Sequence, residues 1–306
     1  MGETADSVVI TEVVLRDGLQ NEATVVRTAD KARLATGLVE AGLTSLEVGA
    51  FVNPVRVPQM ADTDELLRTL GAGLPARLHT LVFNTRGAER AAAAGARHVR
   101  FVVSASEGHS RSNTGVGVAE SLDRIERCTE ILAAAGISLE ASIATAFVCP
   151  FDGDTPVEQV TRIAARLVGL GAQVIHLADT IGAGSPGQVR RAVSAVQDQH
   201  PATPVGLHLH NTYGMAAANA WEAIRLGVRR FDASLGGLGG CPFAPGASGN
   251  VGTDDLVHLF HREGINSGID EARLHELREE LAVLVGHRLA SALAAVPSAS
   301  SRLRPQ

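Results

Sequence analysis

Eight short runs of β-branched residues recur along this 306-residue chain, each followed by a longer stretch rich in Ala and Leu. The runs, expected as strands, are 8–14, 44–49, 77–83, 98–104, 137–146, 173–178, 204–209 and 230–234. The stretches between them, expected as helices, are 28–41, 62–70, 86–95, 119–135, 155–170, 186–199, 214–227 and 252–263. Strand and helix in strict alternation give a parallel sheet with helical crossovers. Eight units are the number that closes a barrel. An open doubly wound sheet would instead place a Gly-x-Gly-x-x-Gly turn after the first strand. The turn there reads Arg16-Asp17-Gly18-Leu19-Gln20-Asn21. The expected fold is therefore α/β, a (β/α)8 TIM barrel with an extra C-terminal helix. One domain, 1–306, is expected: a barrel over about 8–265, a helical extension over about 268–292 and a disordered tail at 297–306. Gly42, Gly95, Gly136, Gly171 and Gly227 stand where left-handed helix caps belong.

Composition narrows the function. The chain is 45% hydrophobic and only 3% aromatic, with a formal charge of −6. No dense basic stripe is present, which argues against nucleic acid as a partner. Cys128, Cys149 and Cys241 are widely spaced and odd in number, a pattern of reducing compartments rather than disulfide frameworks. The start, "MGETADS", has no basic region followed by an apolar core, and no apolar run is long enough to span a bilayer. A cytoplasmic protein with no membrane partner is expected.

In such barrels the chemistry sits where the strands end. The first run ends at Arg16-Asp17, the second carries Glu47, the sixth ends at Asp179-Thr180, and the seventh carries His208 and His210. Residues i and i+2 on a strand point to the same face. Two imidazoles on one face, with a carboxylate from Asp17 across the mouth, suit a divalent cation such as Mg2+, Mn2+ or Zn2+. No thiolate pair is near, which disfavours a structural zinc site. Each feature alone has an ordinary reading: H-x-H as plain strand residues, Arg16-Asp17 as a solvated turn, Asp179-Thr180 as a helix cap. Their joint placement at one barrel end favours the metal site.

Residues 236–250 hold six glycines and two prolines, so neither helix nor strand fits. Such a loop moves or approaches a ligand closely. A thiol on it, Cys241, over a cationic site would have a lowered pKa and carry protons. Cys128 fits a buried small hydrophobe; Cys149 is open between the two readings.

The stretches "RDGLQNE", "FVNPVRVPQMAD", "DTIGAGSPG", "HLHNTYG" and "GLGGCPFAPGASGN" together resemble the motifs of the 3-hydroxy-3-methylglutaryl-CoA lyase family, metal-dependent barrel enzymes. The similarity runs from about residue 8 to residue 290. The resemblance implies Asp17, His208, His210 and Asn250 as metal ligands. It implies that Arg16 polarises the thioester carbonyl and stabilises an enolate, and that Cys241 moves a proton. Glu47, Gln20 and Asp179 match supporting or catalytic positions. The implied catalytic set is thus Arg16, Asp17, Cys241, Glu47, His208, Gln20 and Asp179. The implied reaction is retro-aldol cleavage of a 3-hydroxy-3-methylglutaryl-CoA-like thioester to acetyl-CoA and a keto acid such as acetoacetate, with Mg2+ or Mn2+ as cofactor and a homodimer as assembly.

Three departures from the family pattern bear on the acyl group more than on the reaction. Val14-Leu15 replace Gly-Pro, Gly49-Ala50 replace Thr-Ser with the loss of two hydroxyls, and Asn211 replaces Asp after the second histidine. A citramalyl-type substrate is one alternative they raise. Another is an aldolase or Claisen-type condensing enzyme, and a third is a metal-bound scaffold without activity. The scaffold reading predicts the loss of Arg16 or a ligand, and all are present.

Overall fold

The computed structural model describes residues 7–240 and 249–296. Eight parallel strands close a barrel: β1 (Val9–Glu12), β2 (Ser45–Ala50), β3 (Arg77–Leu81), β4 (His98–Ser104), β5 (Ser138–Ala144), β6 (Ile175–Asp179), β7 (Val205–Leu209) and β8 (Arg230–Ala233). They follow one another around the ring in chain order, and β1 pairs with β8 from Val9↔Arg230 to Glu12↔Ala233. The helices are α1 (Thr28–Glu40), α2 (Thr63–Leu70), α3 (Thr85–Ala93), α4 (Glu107–Thr114), α5 (Val118–Ala134), α6 (Val157–Gly169), α7 (Pro186–Gln199), α8 (Ala216–Arg225), α9 (Thr253–Arg262) and α10 (Glu271–Val285). This is the (β/α)8 barrel expected. The five cap glycines all have positive φ.

Period-two alternation divides each strand between two environments. On β4, Val99, Phe101 and Val103 are buried on the face towards the helices, each contributing about 2 kcal/mol of apolar burial. The other face carries Arg100, which reaches Asp232 on β8 across the lumen. Barrel interiors are usually filled by branched apolar side chains. This one holds Glu47, His79, Arg100, Glu140, His176 and Asp232, all buried.

The first strand is shorter than expected. It stops at Glu12, and Val14–Gly18 form a single π-helical turn. The amides of Arg16, Asp17 and Gly18 all donate to the carbonyl of Val13, at 3.1, 2.8 and 3.2 Å. Such turns concentrate at functional sites. β-propensity at Val13 and Val14 hid it.

Helix α4 was not expected. Its sequence, EGHSRSNT, carries no apolar stripe, so periodicity gives no signal. Its start is capped by Ser106, whose Oγ accepts from His109 N at 3.1 Å. The C-terminal helix docks as α10 against α1. Gly37, within α1, makes that approach possible, because a Cβ there would lie 2.6 Å from Leu277 Cδ2. The tail 297–306 and Cys241 lie outside the described residues.

Candidate active site

The π-turn hangs over the mouth of the barrel from one buried carboxylate. Glu12 Oε1 accepts from Val14 N and from Leu235 N, both at 2.9 Å, and Oε2 accepts from Thr253 Oγ1 at 2.6 Å. It thereby ties the turn to the base of the glycine-rich segment and to α9. Burial pushes its pKa up to about 7, against the lowering effect of those bonds.

The turn brings Asp17 to the two histidines of the seventh strand. Nε2 of His208 and Nε2 of His210 lie 3.7 and 3.8 Å from the same oxygen, Asp17 Oδ2. The ligating atoms all fall within 4.8 Å of one another, the one such grouping among the described residues. These gaps are too long for hydrogen bonds. They are slightly wider than the roughly 3.3–3.6 Å between neighbouring ligands on a tetrahedral cation bound at about 2.0–2.2 Å, so a bound ion would draw the three donors a few tenths of an ångström inward. Burial alone would raise the Asp17 carboxyl, but the Arg16 guanidinium and the two imidazoles outweigh it and hold the group well below its usual range. Burial opposes protonation of His208, yet the Asp232 and Asp17 carboxylates raise its pKa; burial and the neighbouring His208 lower that of His210.

Charge balance points the same way. The guanidinium of Arg16 faces the carboxylates of Asp17 and Glu47, and that of Arg100 faces those of Glu140 and Asp232, with the imidazole of His208 between the two groups. Two formal negative charges remain over, inside a low-dielectric barrel where unbalanced charge is costly. A divalent cation at the Asp17–His208–His210 cluster neutralises them, so the donor set fits such an ion.

Arg16 is clamped on both sides. Its Nε and Nη2 lie 2.7 and 2.6 Å from Glu47 Oε2, and Nη1 pairs with Asp17. Asn250 reaches the cluster through its amide nitrogen, donating to Asp17 Oδ2 at 2.8 Å and to Leu238 O at 3.2 Å. Ligation through its oxygen needs a half-turn of that amide. The backbone comes this close because residue 239 is glycine: a Cβ there would sit 2.5 Å from Asn250 Nδ2.

Beside the cluster lies a cavity of about 320 Å3 lined by Arg16, Asp17, Gln20, Arg100, His208 and His210, with Ser142, Ala144, Ala178 and Gly240 among its other walls. Gln20, Val102 and Asn113 also line a second cavity of about 820 Å3, so the two are contiguous. The second is walled by Phe51, Phe83 and Phe101, with Arg56, Arg86, Arg90 and Arg124 around it.

The structure therefore brings Arg16, Asp17, Gln20, Glu47, His208, His210 and Asn250 together. It does not bring Asp179 to the cavity. That side chain, fully buried, faces away from the lumen, and its Oδ2 accepts from Gly184 N at 3.0 Å. Burial raises its pKa to about 6 despite these backbone bonds. Cys241 lies outside the described residues, directly after the cavity-lining Gly240. Gly49 faces α2: a Cβ there would meet Thr63 Oγ1 at 2.5 Å, and neither Gly49 nor Ala50 lines either of these two cavities.

Sequence reasoning missed Arg100, Glu140, His176 and Asp232. The signal was present as polar residues at period two on the inward faces of β4, β5 and β8, as in His98, Arg100 and Ser104 or Ser138, Glu140 and Ser142. It was also blind to His109, which α4 carries to the cavity wall.

Comparison with known proteins agrees with this geometry. Residues 7–281 match the HMGL-like protein family. The (R)-citramalyl-CoA lyase of Chloroflexus aurantiacus is 44% identical, over 93% of this chain and 93% of its own. The hydroxymethylglutaryl-CoA lyase of Pseudomonas mevalonii is 42% identical, over 86% of this chain and 88% of its own. A solved HMG-CoA lyase from Acinetobacter baumannii, in complex with coenzyme A and 3-methylmalate, superposes with a TM-score of 0.92 at 38% identity, covering both chains fully. By the extent of these matches, the chain belongs to the HMGL-like family.

Proposed function

We propose that this chain is a divalent-cation-dependent lyase that cleaves a 3-hydroxy-3-methylglutaryl-CoA-like or citramalyl-type thioester to acetyl-CoA and a keto acid. The carbon–carbon lyase activity on an acyl-CoA follows from its family and relatives. The observation that carries the finer reading is the convergence of Asp17, His208 and His210 beside the Arg16 guanidinium.

Asp17, His208 and His210, with Asn250 as a fourth donor, would hold Mg2+ or Mn2+, with Zn2+ as the alternative. Such an ion supplies Lewis acidity to a tertiary alcohol and lowers the pKa of its hydroxyl. Once a base accepts that proton, the O–H electron pair becomes the carbonyl C=O bond, and the bond between the alcohol carbon and the thioester α-carbon breaks with its pair passing to the α-carbon. One fragment leaves as a ketone and the other as a thioester enolate. Developing charge on the enolate oxygen is stabilised by a fixed cation. Arg16 lines the same cavity and is held rigid by Glu47, which suits it to that task. Cys241 is assigned the proton that completes the enolate carbon. Gln20 is placed to contact substrate, and Asp179 to steady the loop that follows β6.

The contiguous second cavity supports the coenzyme A half of the substrate. The partly exposed ring of Phe83 suits an adenine ring, and Arg56 and Arg86 suit its phosphates, while Arg90 and Arg124 are paired to Asp64 and Glu120. The assembly proposed is a homodimer, and the compartment the cytoplasm; no helix among the described residues is long and apolar enough to cross a membrane.

The 44% identical citramalyl-CoA lyase keeps the shorter, citramalyl-type substrate as a second reading. Incubation of each thioester with Mn2+ and measurement of acetyl-CoA decides between them. Cleavage of neither thioester, with CoA released instead from acetyl-CoA and a 2-oxo acid, would establish a condensing enzyme and overturn the proposal.

A further inference from the structure

We propose that Asp232 is a positioning residue that aims the imidazole of His208 at the cation site, and that Arg100 holds Asp232 in place to do so. The inference rests on the reading that Asp17, His208 and His210 bind a divalent cation.

Strand register sets the pair. Asp232 on β8 stands directly opposite His208 on β7. Nδ1 of His208 lies 3.2 Å from Asp232 Oδ2. An ionised carboxylate only accepts, so the bond requires the proton on Nδ1. That tautomer leaves the Nε2 lone pair free, and Nε2 is the atom facing Asp17 Oδ2. The same oxygen of Asp232 accepts from Arg100 Nη1 at 2.6 Å, and Arg100 Nη2 donates to Glu140 Oε2 at 3.0 Å. Asp232 is 2% exposed and Arg100 1% exposed, so the contacts between them are largely shielded from solvent.

The other imidazole shows the contrast. Nδ1 of His210 is buried and has no hydrogen-bond partner among the described residues. One ligand is thus backed by a carboxylate and the other is not. A buried ion-pair array is weak as a stabilising device, since well-packed apolar residues of similar volume usually serve as well or better. An array that terminates on a ligand's second nitrogen fits instead the outer support that fixes tautomer and ring orientation at metal sites.

The test is calorimetric titration of Mn2+ into chelator-stripped protein: wild type, Asp232→Ala and Asp232→Asn. Asp232→Ala is expected to weaken binding about 10- to 100-fold. Asp232→Asn keeps an acceptor oxygen at the same place, so it is expected to lose less, and its activity is expected to recover at saturating Mn2+ while the apparent metal constant stays shifted. A residue with only a packing role would lower the melting temperature and leave Mn2+ affinity untouched. Wild-type affinity in both variants overturns the inference. Should Asp232→Ala fail to fold, Asp232→Leu, which fills the space without an acceptor, takes its place, and unchanged affinity there overturns the inference. Failure of the wild-type protein to bind Mn2+ would refute the cation-site reading itself.

Discussion

A single oxygen of Glu47 receives Arg16 twice, from Nε at 2.7 Å and from Nη2 at 2.6 Å. Glu47 is fully buried, and the guanidinium it holds lines the cavity beside Asp17, His208 and His210. A cation fixed in this way needs no reorganisation when negative charge develops next to it. Arg16→Gln is therefore expected to lower kcat about 100- to 1,000-fold while leaving Mn2+ affinity nearly intact. Steady-state kinetics at saturating Mn2+ check this, and an unchanged kcat would contradict the enolate role.

His210 stands 3.8 Å from Asp17 Oδ2, within the donor cluster and not behind it. Removal of a donor should cost more than removal of an outer support. His210→Ala is expected to weaken Mn2+ binding by more than about 100-fold, measured by calorimetry on chelator-treated protein.

Glu12 gives a pH signature in stability. Its carboxyl has a pKa of about 7 in the fold against an ordinary value of 4.5, because burial disfavours the charge. The folded state therefore favours the protonated form. The stability this confers is complete below pH 4.5 and is lost as the pH rises to about 7, a change on the order of 3 kcal/mol. Glu12→Gln mimics the protonated group: its amide oxygen accepts from Val14 and Leu235, and its nitrogen donates to Thr253. Urea unfolding at pH 5 and pH 8 should show a smaller difference for the variant than for wild type. Equal differences would contradict this account.

Cys241 follows the cavity-lining Gly240. Cys241→Ser is expected to slow turnover about 100- to 10,000-fold with the melting temperature unchanged. Kinetics and calorimetric melting on the same preparation separate the two effects.

Much of the barrel was legible because alternation of strand and helix is a strong constraint. Period two on "HLH" placed both imidazoles on one face, as observed for His208 and His210. The π-turn was not legible. Val13 and Val14 read as strand, while the actual geometry comes from one carbonyl accepting three amides and from Glu12 beneath it. Helix α4 was invisible for the opposite reason, since its polar sequence has no periodic stripe. The interior array of Arg100, Glu140, His176 and Asp232 was hidden because polar residues on a strand read as a solvated face. Arg100 and Glu140 are neighbours by strand register, and barrel closure brings Asp232 to them across the lumen. The pocket effect expected at Gly49 also depended on a direction the sequence does not carry, since that residue faces α2.

The central claim is that three separate chain segments grip one divalent ion. Electron paramagnetic resonance of Mn2+ added to chelator-stripped protein tests it most directly, by the disappearance of the free-ion signal. One Mn2+ bound per wild-type chain, with binding abolished by Asp17→Ala, is the predicted result. A free-ion signal that persists in the wild type, or binding that survives Asp17→Ala undiminished, would contradict it.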